Sequence, residues 1–195
     1  MYIIQKNQMK KIIVLSLILI IGFISCKNSE KENDKFEIAK QYYNVLDNSD
    51  YSRITSWLSD NLTIIEGEYK QTYSQSEYLE FLKWDAVFDP RYEILEMEHQ
   101  NGIVKAKISK IDKRIFFLQK EPIITNQVIS FLKDKIISID IHYVNFNDTI
   151  WERNKNGLLS WIDEYHPELN GFINDQTETG GLKYLKAIEL YKNRK

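Results

Sequence analysis

Between Pro122 and Asn145 the apolar positions fall into two β-branched runs. Ile123 to Leu132 and Ile136 to Val144 flank a polar turn, Lys133-Asp134-Lys135, and this pattern predicts an antiparallel hairpin. The second run alternates. Strand parity puts Ile137, Ile139, Ile141 and Tyr143 on one face and Ile136, Ser138, Asp140 and His142 on the other. The first face packs on a core and the second is at least partly wet.

The chain before this hairpin reads as helices and strands that lean on its apolar face. Asp34 can cap a helix with Phe36, Ala39, Tyr42, Tyr43 and Leu46 on one side. Asp47-Asn48-Ser49-Asp50 ends it, and a short helix with Ile54, Trp57 and Leu58 inward follows. Leu62 to Glu66 reads as a strand turned by Gly67-Glu68. Ser74-Gln75-Ser76-Glu77 has the spacing of a capping box and starts a helix bearing Tyr78, Leu82, Trp84 and Phe88. Pro90 stops it. Tyr92 to His99 and Ile103 to Ile111 pair across Asn101-Gly102, and Arg114 to Gln119 reads as a short strand. After the central hairpin the pattern turns helical, over Gly157 to Tyr165 and Leu182 to Tyr191, with Gly180-Gly181 separating the pieces. The order predicts an α+β fold: a curved antiparallel sheet wrapped on N-terminal helices, with extra C-terminal helices.

The N-terminus changes the picture. Lys6, Lys10 and Lys11 precede an uncharged run, Ile12 to Ser25. Fourteen helical residues span about 21 Å, short of the ~30 Å hydrocarbon core, so a signal-peptide segment fits better than a membrane span. The run ends Phe23-Ile24-Ser25-Cys26. This resembles the bacterial lipobox, with Phe where Leu is usual, and implies lipidation of Cys26. A cleaved secretory signal with a chance cysteine is the plainer alternative. Residues 27–35 are entirely polar and read, with Cys26, as a tether over 26–35. Position 27 is Lys rather than Asp, which by the same resemblance leans towards the outer membrane.

Composition mostly excludes. The 195 residues are 43% hydrophobic and 28% charged, enough for one domain with a core. A net charge of −2 with no long basic run in the mature part argues against nucleic-acid binding. Cys26 is the single cysteine, so the chain forms no internal disulfide and no cysteine-based zinc site.

The element order, together with Tyr42, Leu46, Asp47 to Asp50 and the run Asp60 to Glu66, resembles the nuclear transport factor 2-like superfamily, which includes the SnoaL-like and ketosteroid isomerase-like proteins. The resemblance covers residues 36–145 and leaves 146–195 as a helical extension packed on that domain. It implies a cone whose concave side is lined by Ile137, Ile139, Ile141 and Tyr143. It also implies a general base at Glu66, an oxyanion-donating phenol at Tyr42 and a polar partner at Gln127. A carboxylate in an apolar cone can shuttle a proton, and a phenol and an amide can stabilise an enolate. The plain readings are a solvated Glu66 beside Gly67 and a core Tyr42.

Trp57, Gln127, Ile139, Ile141 and Tyr143 are the expected ligand-binding residues. Asp140 and His142 share the outer face as a solvated or dimer-facing pair. That face also carries Ile136 and Val128 or Ile129, and would serve as a homodimer contact or as a seat for the C-terminal helices. His99 follows Glu96 and Glu98 without the spacing of a metal helix, and His166 suits a helix end. The sequence carries no cofactor motif, phosphate loop or nucleophile elbow. The leading expectation is a lipid-anchored envelope protein whose cone binds a small apolar or amphipathic molecule or a partner protein. An isomerase, dehydratase or hydrolase using Glu66 with Tyr42, and a structural module with a filled cone, are the alternatives.

Overall fold

A computed structural model describes residues 34–194, so the expected signal segment, Cys26 and most of the tether lie outside the described residues. Asp34 and Lys35, assigned to the tether by composition, are already helical. The first helix, α1, runs over 34–48 and buries Ala39, Tyr42, Tyr43 and Leu46 at helical spacing. A 3-10 turn, Tyr51–Ser56, follows, with Asp50 accepting from the Ser52 amide.

The hairpin of β1, Leu58–Glu66, and β2, Tyr69–Ser74, leads into α2, Gln75–Ala86. Both arms of the expected capping box are present: Ser74 Oγ accepts from the Glu77 amide, and Glu77 accepts from the Ser74 amide at 2.7 Å. A meander then runs through β3, Arg91–Gln100; β4, Ile103–Ile111; β5, Ile123–Leu132; and β6, Lys135–Tyr143. The six strands lie in the order β2-β1-β6-β5-β4-β3. The sheet is curved and open, as expected, but mixed: β1 pairs with β6 in parallel, and every other neighbour is antiparallel.

Two local expectations are overturned. The β5–β6 register shifts between Ser130 and Phe131, so Phe131 faces Ile136 while Ser130 faces Ser138. Ile137 is the extra residue of a bulge, and the bulge reverses parity on either side of it. Ile136 is therefore fully buried on the inner face with Ile139, and Ile137 leaves that face. Ile129 is fully buried as well, so Val128 alone of the three proposed contact residues stays on the outer face. Secondly, the segment read as a strand at Arg114 to Gln119 is helix α3, Lys113–Gln119. The Asp112 carboxylate accepts from the Ile115 amide at 2.6 Å and caps it. An apolar run of this length has no decisive period, and the cap settles it.

The C-terminal helices are longer than the apolar pattern suggests. Asn147 caps α4, Asp148–Tyr165, and Thr177 caps α5, Glu178–Lys192. Gly180 and Gly181 lie inside α5 instead of separating two pieces. A Cβ on Gly181 would stand 3.1 Å from the Trp84 ring and carbonyl, and one on Gly180 would stand 2.1 Å from the Asp175 carbonyl. Gly181 thus lets α5 press against α2, and Gly180 lets the segment before α5 fold back at Asp175. Neither α4 nor α5 seats on the outer sheet face; both pack with α2 and α3 around a second core of Trp84, Phe88, Leu158, Ile162, Tyr184 and Ile188.

Candidate functional site

Inside the cone, alternate residues of each strand face the helices. On β4 these are Val104, Ala106, Ile108 and then Lys110; on β5 they are Ile123, Thr125, Gln127 and Ile129. Towards the narrow end such residues fill the space with Ile54, Leu58 and Leu62. Towards the mouth a cavity of about 440 Å³ remains, bounded by strands, by α2 and α3, and by Phe146, Trp151 and Gln176 of the C-terminal extension.

Tyr42, Glu66, Gln127, Ile139, Ile141 and Tyr143 all line this cavity. Tyr42 and Tyr78 are buried and share a short hydrogen bond between their hydroxyls. Burial pushes both phenols above their ordinary pKa, which for Tyr42 the bond to Tyr78 partly opposes. Tyr43 donates to Gln127 Oε1 at 2.7 Å, and Gln127 Nε2 donates to Thr125 at 2.8 Å, which fixes the amide orientation. Glu66 closes β1 at the rim and accepts from the Tyr143 hydroxyl at 3.0 Å. Burial first, and then the Glu66 charge, raise the Tyr143 pKa.

Trp57 is not part of the cavity wall. It sits half-buried where the 3-10 turn enters β1, under the Arg53 guanidinium at 5.7 Å, and its carbonyl accepts from the Ile136 amide. Asp140 and His142 point away from the cavity and pair at 3.3 Å on the outer face. His166 ends α4: its amide donates to the Ile162 carbonyl at 2.8 Å, and its ring lies against Trp161. Among the described residues no cluster of His, Cys, Asp and Glu could hold a metal.

Sequence reasoning missed the charged wall opposite Glu66. Asp85, only 1% exposed, accepts from Lys110 at 2.6 Å and from the Tyr92 hydroxyl at 3.0 Å. Arg114 lies over Trp84, Phe88 and Trp151, with its guanidinium carbon 4.8, 5.5 and 5.9 Å from the ring centres. Its Nη2 is 3.6 Å from the Asp112 carboxylate. Burial alone would lower the Arg114 pKa, but Asp112 and Asp85 more than offset it and hold the guanidinium charged. The indole nitrogen of Trp84 and the Nε of Arg114 are buried without a hydrogen-bond acceptor. One sequence signal pointed here: Lys110 occupies a core-facing parity on β4, where a lysine needs an inward partner.

No family model matches the chain, and no curated protein matches it in sequence. Solved structures match it in shape. A putative ketosteroid isomerase from Kribbella flavida aligns over 60% of this chain and 82% of its own, with a TM-score of 0.50 at 8% identity. A second Kribbella flavida protein aligns over 66% and 96%, again with a TM-score of 0.50 at 8% identity. A nuclear transport factor 2-like protein of unknown function from Cytophaga hutchinsonii aligns over 56% and 89%, with a TM-score of 0.46 at 11% identity. At 8% identity the likeness to the two Kribbella flavida proteins speaks to fold alone. The curved sheet, its enclosed helices and the cavity at its mouth give this chain the nuclear transport factor 2-like cone fold.

Proposed function

We propose that this protein binds a small, mainly apolar molecule in the mouth of its cone, and that a lipid on Cys26 holds it to the bacterial envelope, more on the outer than the inner membrane. The cavity carries the reading. A sheet and helices that fill the narrow end with their own side chains leave about 440 Å³ open at the other. Aromatic and aliphatic walls with a few convergent polar groups are the usual make-up of a ligand pocket. The anchor rests on Ser25-Cys26 at the end of the uncharged run.

Native mass spectrometry of the full-length protein, released from mild detergent, tests the pocket. A bound small molecule is expected, and a bare protein that also takes up no apolar probe would refute the reading. For the anchor, Cys26→Ala should move the protein from the membrane fraction to the soluble one, since residues 27–33 offer no apolar segment in its place. An unchanged membrane fraction, with no labelled lipid on the wild type, would count against it.

A second reading draws on one observation: Glu66 and Tyr42 line the same cavity. Glu66 would take a proton from a bound substrate, and Tyr42, backed by Tyr78, would donate to the oxygen that gains charge. Glu66→Gln keeps the shape but cannot accept the proton, so turnover of any substrate found should fall by about 100-fold or more with binding retained.

A further inference from the structure

We infer that the helical wall of the cavity receives the uncharged amide group of an otherwise apolar ligand, and that Trp84 and Arg114 donate to its carbonyl oxygen; this rests on the pocket-binding reading above. Trp84 lines the cavity, is 5% exposed, and its indole N–H has no acceptor. Arg114 lines the same wall, and its buried Nε–H has none either. The rings of Trp84, Phe88 and Trp151 surround the guanidinium, and its N–H groups donate at the edges of its plane. Two buried donors without acceptors on one cavity wall mark where a ligand oxygen belongs.

The charges decide what kind of oxygen it is. Lys110 and Arg114 are the cations of this cavity, and Glu66 and Asp85 are its carboxylates. Behind the wall Asp112 lies 3.6 Å from Arg114 and 3.9 Å from Lys110. Two cations thus face three carboxylates. A ligand carboxylate would add a fourth negative charge beside buried side chains, Trp84 and Asp85 among them, where it would meet repulsion and lose hydration. A neutral carbonyl uses the same donors without that penalty. An amide also brings N–H groups, for which the oxygens of Asp85 and Glu66 keep acceptor capacity beyond the bonds described.

The test compares 1-naphthylacetamide with 1-naphthylacetate, which share one apolar body and differ in the charge of the head, by calorimetry on the full-length protein. The amide is expected to bind at least tenfold more tightly. Trp84→Phe keeps the ring but removes the N–H, and should weaken amide binding about five- to tenfold without lowering the melting temperature by more than a few degrees. Equal binding of the two probes, or tighter binding of the acetate, would overturn the amide assignment and leave the pocket reading standing. Unchanged amide affinity in Trp84→Phe would overturn the donor role of Trp84. Binding of neither probe would overturn the pocket reading itself. Should Trp84→Phe fail to fold, the ratio of the two affinities in the wild type still decides.

Discussion

The two ends of the cone are built from the same strands and differ in what closes them. The narrow end is closed by α1 and the 3-10 turn, whose Tyr43 and Ile54 fill it. The mouth is closed by elements beyond the sheet, and there Arg114, Lys110, Asp85 and Glu66 stand among aromatic rings around open space. Packing of the first kind stabilises the fold. The second kind leaves contacts unmade and donors unanswered, which a structure retains at the expense of its stability when the space has an occupant. Helix α2 belongs to both hydrophobic cores: Tyr78 and Leu82 pack inside the cone, while Trp84 sits in the helical core with Phe88 just beyond the helix end.

Alkaline pH should attack the cone hardest. Burial holds the phenols of Tyr42, Tyr43, Tyr78 and Tyr92 well above their ordinary value of 10, and that of Tyr73 at about 12; in the helical core Tyr184 alone is so shifted, also to about 12. The folded state keeps these protons after the unfolded state has released them. Their contribution is thus whole below pH 10 and is lost as pH rises through about 12. Tyrosinate absorbance is expected to rise in two steps, exposed rings first and buried rings only with loss of circular dichroism. A single step before any unfolding would break the contrast.

Phe88→Ala should cost about 3–5 kcal/mol, since the ring is fully buried and meets Trp84 and Tyr184 edge-on. Three of the four tryptophans, Trp84, Trp151 and Trp161, pack in or against the helical core, so their fluorescence reports that core. If the shared α2 welds the two cores, fluorescence and circular dichroism will shift together in denaturant. Separate midpoints would show the cores to be independent units.

Asp85→Ala should cost about 3 kcal/mol, because it strips Lys110 and Tyr92 of a common buried partner. Lys110 keeps some solvent access, which holds the loss below that of a sealed pair. Replacing Asp85 and Lys110 together should recover part of the loss, and equal losses in the single and double variants would remove the pair from the account.

The fold was legible because its signals are local. The Ser74 capping box, the Asn101-Gly102 turn and the alternation on β5 each specify a shape without distant help. The bulge at Ile137 was not legible: parity carries through a strand only while pairing is regular, and the slip is set by the partner strand. Gly180-Gly181 misled for a related reason. In sequence the pair reads as a break, whereas what decides it is the approach of Trp84 from another helix to Gly181 and of Asp175 to Gly180. The Arg114 part of the cavity wall was hidden likewise, since Arg114 takes its place only through α3, whose cap at Asp112 went unread.

The central claim is that the mouth is a chamber rather than a packed core, and enlarging a side chain that lines it tests this most directly. Ile141 projects from β6 into the cavity. Ile141→Trp would cost about 1–3 kcal/mol in close-packed surroundings, through forced rotamers and backbone shifts. The account predicts a melting temperature at or above that of the wild type, with loss of the co-purified molecule or of apolar-probe binding. A strongly lowered melting temperature with ligand binding intact would contradict it.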